Sequence, residues 1–152
     1  MKTRIVKDSG WPRWLLRLVQ KKQVTVGIHQ KRANRSKKKA GASRTNVQIG
    51  TIHEFGSGKI PQRSFLRSTY DENLPKYKEY FERAYARATK AKKSVDVPLR
   101  LVGLKIASDV RLKIDAGIPP PNAPSTVKRK GSSKPLIDTG ALKRSIGYEV
   151  KT

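Results

Sequence analysis

Residues 138–140 read Asp-Thr-Gly behind the apolar pair Leu136-Ile137, the pattern that carries the catalytic carboxylate of aspartic proteases. That chemistry needs two carboxylates sharing one proton at close range. A chain with one such tripeptide must therefore meet a symmetric partner. The tripeptide must also lie on a strand loop, with a long stretch of chain after it to build the cleft. Only twelve residues follow Gly140, and they begin "ALKRSI", which favours a helix. The residues instead spell a helix start. Asp138 or Thr139 accepts hydrogen bonds from first-turn amides, and Leu142 and Ile146 face inward at i, i+4.

The remaining candidates for chemistry are incomplete. His53-Glu54 resembles the start of a zinc-binding helix, but position 57 is Ser where a second histidine would stand. "GSGKIP" (56–61) has a Gly-Lys pair without the first glycine of a phosphate-binding loop or the hydroxyl residue after the lysine. The only other histidine, His29, is expected on the exposed face of a strand. There is no cysteine, which excludes disulfides and thiolate-ligated metals. No serine or lysine sits in a recognisable nucleophile setting. The expectation is a protein that is not an enzyme and holds no metal or cofactor.

Charge is the stronger signal. Lys plus Arg is 35 against 11 for Asp plus Glu, a net +24. From Lys21 to Arg44 there are nine basic residues and no acid. Lys31, Arg32, Arg35, Lys37, Lys38, Lys39 and Arg44 fall in a stretch (31–45) without an apolar stripe, read as an exposed arm or long hairpin loop. Lys128, Arg129 and Lys130 form a second run. Two runs on so positive a chain point to a polyanion or an acidic protein surface. No helix-turn-helix, zinc finger or stacking-aromatic motif is present. Contact with nucleic acid would thus be with phosphates, independent of sequence and sensitive to salt.

Apolar spacing outlines the elements that position these residues. "WPRWLLRLVQKK" (11–22) spaces Trp11, Trp14, Leu15, Leu18 and Val19 as a helix, either packed on the core or docked on a partner or acidic lipid. "QVTVGIHQ" (23–30) alternates as a half-buried strand. A short helix over 46–55 should stop at Gly56 with φ above zero, and Phe55 should be buried. An extended stretch follows over 60–68. A helix over 74–91 takes Pro75 in its first turn and shows Tyr77, Phe81, Ala84 and Ala88 on one face. A second over 97–116 presents Leu99, Val102, Ile106, Val110 and Ile114, with Asp96 as its cap and Gly117 at its end. Residues 118–134 are rich in Pro, Gly and Ser and read as a long functional loop. A short helix and the strand "IGYEV" close the chain. The expected architecture is a single α+β domain over 1–152, a small antiparallel sheet packed by two longer helices. No run is apolar enough to span a bilayer, and no signal peptide is evident, so a cytoplasmic setting during synthesis and no membrane partner are expected.

Three stretches in order carry a resemblance: "VTVGIH" (24–29), "TIHEFGSGKIPQRSFLR" (51–67) and "GIPPPNAPSTVKRKGSSKPLIDTGALKRSIGYEV" (117–150). They resemble the virion-morphogenesis and tail-completion proteins of tailed bacteriophages. The matching positions are Glu54-Phe55-Gly56, Ile60-Pro61, Phe65-Leu66-Arg67, Pro119-Pro120, Thr126 with Lys130-Gly131, and Pro135 through Asp138, Thr139, Gly140 to Leu142. The resemblance implies a structural virion protein of the head–tail junction, assembled in the host cytoplasm. It implies copies in a ring, most simply a hexamer, beside tail-terminator, tail-tube or head-connector proteins, with DNA in the channel. Charge and basic arms alone also fit a sequence-independent nucleic-acid-binding protein of ribosomal type.

Overall fold

The computed structural model describes residues 22–29 and 44–151. Of the helix expected over 11–22 only Lys22 is among them. Of the basic arm only Arg44 and Thr45 are, so Lys31, Arg32, Arg35, Lys37, Lys38 and Lys39 lie outside the described residues.

Strand β1 (Gln23–Ile28) and strand β2 (Ile146–Lys151) pair antiparallel, Val24 opposite Val150 and Ile28 opposite Ile146. Alternation in β1 turns Val24, Val26 and Ile28 toward the core. Between the strands run α1 (Asn46–Phe55), α2 (Arg67–Lys90), α3 (Asp96–Ala116), α4 (Pro124–Lys130) and α5 (Ala141–Ser145). The fold is α+β.

Helix α3 lies across the sheet, and α2 packs on α3. The stripe expected on α3 is the centre of the core: Leu99, Val102, Ile106, Val110 and Ile114 are all buried. Gly103 lies on that face. A Cβ there would sit 2.7 Å from Val24 Cγ2 and 2.8 Å from the Tyr148 ring, so the bare Cα sets how closely helix and sheet approach. From α2, Tyr77, Phe81 and Ala88 complete the layer, with Phe65 and Ile146 fully enclosed and Leu142 buried beside them. The two longer helices therefore do not share the sheet equally. α3 covers it, and α2 adds a second layer behind α3.

Three local expectations are corrected. Helix α2 begins at Arg67 rather than 74, which leaves Pro75 in its interior. Its missing N–H frees the Asp71 carbonyl, which lies on the exposed side where water can take the bond. Asp96 does not cap α3. Val95 stands at that position, and the Asp96 carboxylate turns outward to accept from Lys22 Nζ at 2.8 Å and Ser94 Oγ at 3.1 Å. The 118–134 segment is not all loop. It holds α4, which starts at Pro124 and stops at Gly131 with φ +67°. No residue of α4 is buried, so apolar periodicity could not reveal it; the Pro start and Gly stop were its only marks.

Candidate functional site

Helix α1 opens with a capping box. Gln48 N–H donates to Thr45 Oγ1 at 3.3 Å, and Thr45 N–H donates to Gln48 Oε1 at 2.8 Å. The face this helix buries is Asn46, Gly50 and Glu54, at i, i+4, i+8. That choice corrects the expectation for Phe55, which is 64% exposed, with the Arg67 guanidinium 5.8 Å from its ring centroid. A glycine at the middle of the buried face lets Ile28 press onto the helix: a Cβ at Gly50 would stand 2.3 Å from Ile28 Cδ1.

Glu54 is the anchor of the turn. Its Oε1 accepts from Ser64 Oγ at 2.7 Å and Arg67 N–H at 3.0 Å, and its Oε2 accepts from Phe65 and Leu66 N–H at 2.9 Å each. These are the unpaired amides of the α2 N-terminus, where negative charge is favoured. Burial alone would raise the Glu54 pKa, but the bonds from Leu66, Ser64, Arg67 and Phe65 outweigh it and hold the carboxyl below its ordinary value. Gly56 makes the geometry possible. Its φ of +78° with ψ 162° is a conformation open to glycine almost alone, as expected for the helix stop. The chain then reverses through Ser57 and Ile60, which exchange backbone hydrogen bonds at 3.0 and 2.9 Å.

The reversed chain delivers Arg63, and Arg63 joins two distant parts of the chain. Its Nε donates to the Pro120 carbonyl at 2.7 Å and its Nη2 to the Pro121 carbonyl at 2.9 Å, while its backbone N–H donates to the His53 carbonyl at 2.7 Å. Prolines have no N–H but keep their carbonyls. A proline run therefore offers a row of acceptors without a donor among them, which suits a guanidinium fork.

This junction forms one wall of a cleft of about 710 Å³. The Asn46, Ile49 and His53 face of α1 forms another. Pro61, Thr126, Leu136, Asp138, Thr139 and Leu142 also line it. Its charged lining is four cations, Lys59, Arg63, Arg129 and Lys130, against one acid, Asp138. Burial lowers the His53 pKa, with Arg63 and Lys130 adding to the effect, so the imidazole is neutral at pH 7. Burial also lowers the Lys130 pKa, opposed by Asp138. Two buried polar atoms here have no partner: Asn46 Oδ1 and His53 Nδ1. Asn46 Nδ2 donates to the Ala141 carbonyl at 3.4 Å, which fixes the oxygen as the end left over.

Of the basic residues singled out in the sequence, Arg129 and Lys130 belong to the cleft, while Lys128 and Arg44 are exposed outside it. The Asp-Thr-Gly residues stand at its lip, but Asp138 is not a helix cap. Gly140, at φ +74°, occupies the cap position of α5, and Thr139 Oγ1 accepts from Ala141 N–H at 3.4 Å. Asp138 acts on Lys130, a cation, where a protease dyad would need a second carboxylate. Leu142 is buried as expected. His29 departs from expectation: its side chain is largely covered and its Nδ1 lies 3.4 Å from Glu149 Oε2.

Spacing in the sequence did not single out Arg63, Asn46 or Lys59. Arg63 is one arginine among many, and only the proline carbonyls fifty-seven residues away explain it. Asn46 could be read as an ordinary helix-start residue. No protein-family model matches the chain, nor does any curated protein or solved structure.

Proposed function

We propose that this chain is a structural virion protein of the head–tail junction of a tailed phage. It completes the upper end of the tail as one subunit of a ring around the DNA channel. The observation that carries the reading is the interlock of the two longest stretches that bear the resemblance. Residues 51–67 and 117–150 meet through Arg63 and the Pro120 and Pro121 carbonyls. The family-like positions act there as scaffold: Glu54 ties down the α2 amides, Gly56 turns the chain, and Leu142 fills the core. A protein selected to present a shaped surface to neighbours needs such ties more than a reactive group.

Charge sets the kind of neighbour. A ring of six copies, each at +24, repels itself unless DNA or acidic adjoining rings compensate. On this reading Lys31, Arg32, Arg35, Lys37, Lys38, Lys39 and Arg44 meet an acidic surface: a tail-terminator, tail-tube or head-connector protein, or the DNA itself. The contact is without sequence specificity.

The test replaces Lys37, Lys38 and Lys39 with Ser. Thermal unfolding of the protomer should not change, because a run of like charges without an apolar stripe adds little to a core. Joining of tails to filled heads should fall, and raised salt should reproduce the defect in the unmodified protein. Unchanged joining at low and high salt would overturn the role of the arm. The same +24 supports a second reading, a sequence-independent nucleic-acid-binding protein. A purified chain that elutes as a monomer and binds short RNA tightly would favour it.

A further inference from the structure

The cleft between α1, the 118–123 segment and α5 differs from a merely basic patch. Its floor is apolar, formed by Ile49, Leu136 and Leu142, and its rim is cationic, with Lys59, Arg129 and Lys130. Asn46 is only 4% exposed, yet its Oδ1 has no partner. Leaving a buried acceptor unpaired is destabilising, and the cost is recovered when a donor enters.

We infer that this cleft is a binding site for an extended acidic peptide segment of a partner protein, seated by one apolar side chain and one backbone N–H. Each feature of the site selects that chemistry. The cations attract carboxylates. The apolar floor takes a leucine-like side chain and gains from its burial. Asn46 Oδ1 accepts a hydrogen bond, which a peptide N–H supplies and a phosphodiester, having no donor of its own, cannot. The wall made by Pro120 and Pro121 is held by Arg63, so the cleft is preformed and little ordering is lost on binding. A second copy of this chain is a poor occupant for the isolated protein, because two molecules at +24 with no polyanion to compensate them repel. The inference does not rest on the virion reading, since it concerns the isolated chain.

The experiment measures binding of the purified full chain to a capped acidic pentapeptide with leucine at its centre and aspartate and glutamate on both sides. Comparison ligands are the same peptide with serine at the centre and a single-stranded oligothymidylate. The leucine peptide should bind, weaken with salt, and lose most of its affinity in the serine version. Asn46→Leu should lower its affinity about tenfold, the value of one hydrogen bond of this kind, while thermal stability changes little, since removing the unpaired acceptor offsets losing the Nδ2 bond to the Ala141 carbonyl. Lys59→Ser with Arg129→Ser, both exposed, gives a folded second variant that should also bind more weakly. Peptide affinity unchanged in both variants would overturn the proposal. So would oligothymidylate binding that is tighter than the peptide and displaces it, which would make the cleft a phosphate site. Tail joining plays no part in the readout, so failure here leaves the virion reading standing, and the reverse also holds.

Discussion

His53 and Glu54 are neighbours at the end of α1, and their surroundings differ in every respect that matters. Glu54 points into the fold and receives four hydrogen bonds, three of them from backbone amides. His53 turns to the other side of the helix, lines an open cleft, and keeps a buried Nδ1 without a partner. One residue of chain separates a polar group saturated by its own fold from one left short. Saturation marks scaffold, because every donor and acceptor is already committed. A shortfall beside open space marks a place built for something else.

The sharpest way to break this contrast is at Glu54. Glu54→Ala strands the Phe65, Leu66 and Arg67 amides at the start of α2, and should cost about 3–5 kcal/mol, read as a lower urea midpoint. Glu54→Gln keeps the shape and loses the charge, so it should cost less. The pH dependence has a definite sign. The folded pKa lies below the ordinary glutamate value of 4.5, so the contribution is complete above that value. It is lost as pH falls from 4.5 through the lower folded pKa. The wild type should therefore lose stability more steeply in that window than Glu54→Gln does. Parallel pH profiles for the two proteins would show that the carboxylate is not held as the geometry implies.

Arg63 stands between the two regions, since its backbone is bonded to the His53 carbonyl and its side chain holds the cleft wall. Arg63→Met keeps the aliphatic stem and removes both bonds to the proline carbonyls. The expected cost is about 2 kcal/mol, smaller than at Glu54 because two proline carbonyls lose a donor where three amides and a hydroxyl would lose their acceptor. The more telling readout is local. Hydrogen exchange and proteolytic nicking should rise across 122–134 and leave α2 and α3 protected. A uniform rise over the whole chain would mean that the wall is part of the core rather than a tethered segment.

These two residues also mark how far the sequence could be read. α3 was legible apart from its cap, because its buried face is apolar at helical spacing, with Pro98 in its first turn and Gly117 at its end. β1 was legible from alternation, and β2 was placed as the closing strand. α1 was placed correctly, with its stop at Gly56, but its buried face was misread. Apolar pattern pointed at Phe55, whereas the helix buries Glu54, whose value comes from amides ten or more residues further on. The same amides explain why α2 starts at Arg67 and not near Pro75: the carboxylate that opens the helix belongs to another element. The cleft was half visible. Arg129 and Lys130 stood out as charge, and Asp138 and Thr139 as a motif. What joins them depends on Arg63 reaching carbonyls of prolines, and backbone acceptors leave no trace in residue type.

The smallest effect should come from Asp138, the residue whose pattern is most suggestive of chemistry. It is exposed, and the α5 cap position belongs to Gly140. Asp138→Asn should therefore change stability by no more than about 0.5 kcal/mol, in the range of ordinary surface substitutions. Its consequence should be electrostatic and confined to the cleft. Asp138 is the acid that raises the Lys130 pKa against burial and the neighbouring arginines, so its neutralisation should lower that pKa further. Nζ titration of Lys130 by NMR reads this directly. Among the described residues the same substitution removes the one negative charge of the lining, so the acidic leucine peptide should bind more tightly to Asp138→Asn at low salt, with the gain fading as salt rises. Tighter binding with unchanged stability would separate the lip of the cleft from the scaffold beneath it. A large loss of stability would return Asp138 to the structural side of the comparison, and a hydrolytic activity abolished by the substitution would return it to catalysis.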